Sequence, residues 1–355
     1  MLKNKKILIA FAIIPAFLIV KVLAKFPNFI EAYYSKGLYT ITSKLFRYTL
    51  GWIPFSFGDL IYSLGILYII RWLVINRKRM LKNFKHWLID VFAAVSFIYI
   101  AFHLFWAMNY YRLPLHENLN LKADYTTEEL TIVTKNLIDR SNAIHLKIVK
   151  NDTLKVEFPY TKSEVITKTP ESYAGLQKIF PELEYKGVSI KKSLLSLPLT
   201  YMGFSGYLNP LTNEAHINNL IPVFKFPTTT AHEIAHQLGY AAENEANFIG
   251  FLAATHHKDL YFKYSGYTFG LRHCLHEVYR RNPQQYDTLL KTINPGILKN
   301  YQEVREFWMS HENPIEPLFQ TTYNNYLEAN NQKGGMKSYS YVVALLVNYL
   351  QDKTL

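Results

Sequence analysis

The 355-residue sequence reads as three transmembrane helices followed by an α+β, mostly helical domain. Three observations lead there. Long apolar runs crowd the first 111 residues, helix-capping patterns punctuate the remainder, and one short stretch carries a hairpin signal. The chain therefore divides into a membrane domain, residues 1–111, and a second domain, residues 112–355.

The first run, Ile7 to Val20, carries no charge and reaches Ala24 if Lys21 snorkels, giving a span of about 7–24. Its lysine-rich flank and the "VLA" before Lys25 also resemble a signal peptide. The second run, Leu60 to Ile75, contains only Arg71, and Asp59 stands where an N-cap would sit, giving a span of about 58–75. The third, Val91 to Met108, is interrupted only by Ser96 and His103 and extends to about 88–110. Trp87, Trp106, Tyr110 and Tyr111 suit aromatic belts at the membrane surfaces. His103 is expected to be hydrogen-bonded to a neighbouring helix.

Orientation follows from the loops. Asn76 to His86 has five Lys/Arg and no acid, which predicts a cytoplasmic loop. Everything after Tyr111 then lies on the far side, in either reading of the first run. The chain is expected to be an integral protein of the cytoplasmic (inner) membrane, with its large domain periplasmic or extracytoplasmic. The net charge of +12 raises nucleic acid as a partner. The basic residues, however, flank apolar spans or interleave with acids, so nucleic acid is not expected and the lipid bilayer is. With Cys274 the only cysteine, no intramolecular disulfide and no thiolate metal cluster can form.

In the second domain, Thr126–Glu129 and Thr161–Glu164 match capping boxes, predicting helices to about Ile144 and Ile179. Ser205 to Asn218 reads as a hairpin that turns at Asn209-Pro210 to Asn213 and returns over Glu214–Asn218. Thr228–Thr230 are placed to cap the next helix and Gly239 to end it. A helix over Asn244 to Ala254 follows, then others through Tyr349, with a break at Gly334-Gly335.

The helix after the threonines contains "HEIAH", residues 232–236. Residues four apart share a helical face, so His232 and His236 project together and are suited to bind Zn2+, one ion per chain. Glu233 reaches the same side. Zinc lowers the pKa of its bound water towards 7, and a carboxylate takes the proton as hydroxide attacks a carbonyl. A third ligand is needed, and Glu243 and Glu245 are both available. Glu243 has Asn247 one turn on, able to hydrogen-bond a histidine ligand's other nitrogen and orient it; Glu245 has only Ile249 there. Glu243 is the expected ligand, with Glu245 as the alternative.

"HEIAH…ENEANFIGFLA" resembles the gluzincin peptidases, whose H-E-x-x-H is followed by E-x-x-A-D or E-x-x-A-N on a second helix. Membrane-embedded relatives similar to the CAAX-processing and HtpX-type proteases carry this pattern, as do peptidases resembling the ImmA/IrrE group. The resemblance implies a zincin-like fold, aligns Glu243 with the metal ligand and Asn247 with its supporting residue. Only six residues separate His236 from Glu243, which is shorter than in most gluzincins. Nearly the whole chain resembles the family called domain of unknown function 3810, through Ser205–Asn218, Ala231–Phe248 and Ser338–Leu346. By analogy with zincins, the strand Glu214, Ala215, His216, Ile217, Asn218 is a candidate to pair with an extended substrate. Tyr267, His273, His276 and Tyr339 are candidate oxyanion stabilisers.

The function these residues imply is a membrane-anchored zinc metallopeptidase hydrolysing peptide bonds of protein or peptide substrates, with Glu233 as catalytic base. The alternative is a zinc-stabilised, non-catalytic membrane protein that binds cell-envelope partners.

Overall fold

The apolar runs fold as helices long and apolar enough to cross a membrane. The first comprises Leu2–Phe11 and Ile13–Leu23. Pro15 has no N–H to return to the carbonyl of Phe11, which accounts for the break between the two. The second is Phe57–Lys82 and the third Phe84–Phe105, joined at Asn83. Ser56, not Asp59, is the N-cap of the second: its hydroxyl accepts from Asp59 N–H at 3.1 Å. At the opposite end of the bundle Asp90 pairs with Lys6 at 3.1 Å and Arg79 at 2.7 Å, tying the three helices together beside the basic loop. The structure, a computed structural model, describes residues 2–332, 334–335 and 341–351.

The segment between the first two spans is itself folded. Pro27–Phe29 leads into a π-helix, Ile30–Leu38, and an α-helix, Tyr39–Leu50. Ile30, Tyr34 and Tyr39 form a small core with Trp106, Met108 and Ala241. Trp106, Tyr110 and Tyr111, expected at a membrane surface, are instead buried in or beside this core because the chain turns into a 3₁₀ helix at Ala107–Tyr111. His103 donates from Nδ1 to the Tyr99 carbonyl of its own helix at 3.0 Å, and its own carbonyl accepts from Tyr34 of the neighbouring π-helix at 3.2 Å.

Thr126 and Thr161 both form the reciprocal capping boxes that their spacing predicts. The first opens Thr127–Val149. The second opens a helix that ends at Lys168, because Pro170 restarts the chain as Pro170–Leu176. The hairpin forms too, as β2 (Gly206–Leu208) and β3 (Ala215–Ile217), with Asn213 left-handed in its turn. A strand the sequence did not signal, β1 (Ile190–Lys192), pairs parallel to β3, giving the order β1-β3-β2.

The helix carrying HEIAH is Phe226–Gln237. It starts before the threonines, since Pro227 suits the first helical turn, and Thr228–Thr230 lie inside it as buried residues. Gly239, at φ +89°, terminates it as expected, and Glu243–His256 folds back against it. The two helices approach closely at Gly250, where a Cβ would lie 3.1 Å from His232 N and 3.2 Å from Thr228 O. Leu260–Arg281 packs across both, and Pro283–Leu290, Pro295–Met309, Glu316–Ala329 and Val342–Leu350 complete the domain. Gly335 is left-handed at the expected break.

Candidate metal centre

One helical turn separates His232 from His236, and Gly239 allows the following helix to bring its first residue, Glu243, under both. One ligand atom from each of the three lies within 4.8 Å of the others. A single carboxylate oxygen, Glu243 Oε2, is 3.2 Å from His232 Nε2 and 3.7 Å from His236 Nε2. That oxygen is buried and accepts no hydrogen bond.

The tautomer of His236 is set by its other nitrogen. Nδ1–H donates to the Tyr240 carbonyl at 2.7 Å, so Nε2 is the nitrogen turned to Glu243. Burial penalises the charge on His236, but the Glu243 and Glu233 carboxylates outweigh it and push the imidazole up to about 9. Glu243 is held well below the carboxylate range: burial opposes its charge, and the two histidines overcome that. Glu233 lies beside this pair, buried, with Oε2 unpartnered. Burial pushes its carboxyl up to about 7 despite the neighbouring histidines.

The two candidate third ligands separate cleanly. Glu245 points away and accepts from Leu115 N–H at 2.7 Å. Asn247 is buried, with its amide nitrogen unpartnered, so the orienting bond to His236 comes from Tyr240 rather than from Asn247.

The strand singled out by analogy has a different place. β3 is the central strand, bonded on one side to β1 and on the other to β2, so it offers no free edge to an extended chain. Its His216 is wholly buried between two carboxylates, with Nε2 3.3 Å from Glu214 Oε2 and Nδ1 3.5 Å from Asp59 Oδ1. Glu214 also accepts from Gly58 N–H at 2.5 Å, locking the hairpin to the start of the second span. Asn218 donates from its side chain to Thr200 and Phe204. The edge strand is β2. Its Tyr207 is in the hydrogen-bonded register with His216, so Gly206 and Leu208 turn their backbone groups outward. A Cβ at Gly206 would lie 2.7 Å from Glu233 Oε1.

Of the oxyanion candidates, Tyr267 packs edge-on against Phe251 at 6.2 Å. His273 packs on Phe269 at 4.6 Å, His276 is exposed, and Tyr339 lies outside the described residues. Three residues of the site carried no signal in the sequence. Tyr323 donates to Glu243 Oε1 at 2.7 Å, which turns Oε2 towards the histidines. Tyr39 donates to the His236 and Gln237 carbonyls, and Trp106 Nε1–H to that of His236 at 3.3 Å.

No curated protein and no solved structure matches the chain. The sequence pattern of one family, described as protein of unknown function DUF3810, matches residues 34–347, which include most of the folded segment before the second span and the whole constellation above. The chain belongs to the DUF3810 family.

Proposed function

We propose that the protein is a membrane-anchored zinc metallopeptidase of zincin-like architecture. The observation that carries this reading is the convergence of His232, His236 and Glu243 within 4.8 Å, with Glu233 beside them. Two imidazoles and one carboxylate suit zinc, and a hydrolytic site keeps a position open beyond three protein ligands. The buried Glu243 Oε2, close to Nε2 of both histidines, is placed to be the third donor to a cation. A zinc ion held there would supply Lewis acidity, polarising a peptide carbonyl and acidifying a nearby water.

Glu233 has the chain's part in proton transfer. Its burial favours a carboxylate that accepts a proton from water and returns it to the departing amide nitrogen. Gly206 keeps the backbone of β2 against Glu233, and the outward N–H and C=O groups of Gly206 and Leu208 offer an extended peptide a place to pair. The substrate is a protein or peptide. The positive loop at Asn76–His86 orients the catalytic domain to the extracytoplasmic face.

The test is peptide hydrolysis by the zinc-loaded full chain and by Glu233→Gln. Turnover of a mixed peptide pool by the wild type, lost at least a hundredfold in a variant that retains zinc, is the expected result. A zinc-loaded wild type without turnover, and with unchanged binding of envelope proteins by Glu233→Gln, would replace the enzyme reading with a binding role.

A further inference from the structure

Lys225 precedes the HEIAH helix in right-handed helical conformation, with φ −83° and ψ −19°. Residues 225, 229, 232 and 236 therefore lie on one helical stripe, so the face bearing both histidines continues through Thr229 to Lys225. Seven residues at about 1.5 Å each place Lys225 roughly 10 Å from His232 along the helix. Its ammonium donates to Ser205 Oγ at 3.0 Å and lies 5.3 Å above the Trp308 ring. Ser205 precedes Gly206, the residue against Glu233, so Lys225 stands at the start of β2.

A second basic residue, Arg272, lies on Leu260–Arg281, near enough for its charge to act on Lys225. Ser265 of that helix donates to Phe224 O at 2.8 Å and meets Thr228 Oγ1 at 3.3 Å, fixing its register against the start of the HEIAH helix. Arg272 and His276 stand two and three turns along the same face, both exposed. Among the described residues neither Lys225 nor Arg272 has an acidic partner. Burial, reinforced by the Arg272 charge, pushes Lys225 down to about 7. Burial and the charges of Arg272, His276, Lys225 and His232 push His273 down to about 3. Two basic side chains, Lys225 and Arg272, thus stand by the start of β2 without a carboxylate partner among the described residues.

We propose that Lys225 and Arg272 form an oxyanion-binding subsite that seats a carboxylate or phosphate of the substrate. This rests on the metallopeptidase reading for β2 as the strand that pairs with substrate. In an extended chain at roughly 3.4 Å per residue, about three residues separate the bound oxyanion from the metal. A peptide whose free carboxyl terminus lies that far beyond the scissile bond fits this length, as does a phosphorylated residue at the same position.

The experiment uses the full chain in detergent micelles and calorimetric titration with acetyl-tetra-alanine, its C-terminal amide, and inorganic phosphate. The expected result is saturable binding of at least one oxyanion, with Lys225→Met and Arg272→Gln each weakening it at least fivefold. Free acid favoured at least tenfold over amide assigns a chain-end carboxylate; phosphate bound with acid and amide alike assigns a phosphorylated group. The exposed position of Arg272 keeps its variant informative if Lys225→Met does not fold. Phosphate binding that survives zinc chelation upholds the subsite even if hydrolysis is never found. Binding unchanged in Arg272→Gln, or no saturable binding of any oxyanion, overturns the proposal.

Discussion

The hydroxyl of Tyr39 lies 3.0 Å from the carbonyl oxygen of Gln237 and 3.3 Å from that of His236, donating to both. A residue between the first two membrane spans thus holds the end of the helix that carries both histidines. Trp106, just after the third span, reaches the same His236 carbonyl, and Asn213 of the hairpin turn donates back to Tyr39 at 2.8 Å. The helix carrying both histidines and the hairpin turn meet at this one hydroxyl.

Tyr39→Phe removes the donor and leaves the buried Gln237 carbonyl short of a partner, at a cost of about 1–3 kcal/mol. Thermal unfolding of the full chain in detergent is expected to fall by several degrees. A fragment of residues 112–355 lacks Tyr39 and Trp106 altogether, and is expected to bind zinc more weakly than the full chain.

Arg112 and Glu31 form a buried, bidentate pair, with both nitrogen–oxygen distances at 2.8 Å. Glu31→Gln leaves the guanidinium without its counter-charge, and unfolding is expected to be easier by about 3 kcal/mol. Burial alone would raise the Glu31 carboxyl, but Arg112 and Lys36 outweigh it and hold it below its ordinary value of 4.5. A lowered carboxylate stabilises the folded state fully above its unfolded pKa. Denaturation followed against pH should therefore show this contribution constant at neutrality and declining as pH falls below about 4.5, with the decline absent in the variant.

Gly206→Ala places a methyl group 2.7 Å from Glu233 Oε1 and 2.8 Å from the His216 carbonyl, both too close. Because it touches no metal ligand, zinc content is expected to stay the same while peptide turnover drops at least tenfold. Loss of zinc together with turnover would show that β2 supports the ligands rather than Glu233.

Tyr323→Phe releases Glu243 Oε1 and lets the carboxylate rotate away from the histidines. Removing such a supporting bond costs about 10–100-fold in metal affinity. Competition with a chelator measures this directly, and an unchanged affinity would mean that Tyr323 does not orient the ligand.

What the sequence disclosed was local. The four-residue step from His232 to His236, the glycine that turns the chain, and the two capping boxes each act within a few residues, and each has the expected structure. The preference for Glu243 over Glu245 rested on a one-turn offset to Asn247, yet the two are separated by a long-range contact of Glu245 with Leu115. The strand Glu214–Asn218 is not free to pair with a substrate, which was hidden because its parallel partner, Ile190–Lys192, is only three residues long and shows no alternation in the sequence. Tyr39 and Tyr323 were invisible because their partners lie 197 and 80 residues away. Membrane-belt positions for Trp106, Tyr110 and Tyr111 followed from their place after an apolar run; the folded segment before the second span buries them instead.

The most direct test is the zinc content of the purified full chain, compared among wild type, Glu243→Ala and Glu245→Gln. Glutamine at 245 retains an acceptor for Leu115 N–H, so that variant should fold normally. The expected result is one zinc per chain in the wild type and in Glu245→Gln, and none in a folded Glu243→Ala. A folded wild type that takes up no zinc, or a variant that keeps it without Glu243, would contradict the proposed metal centre.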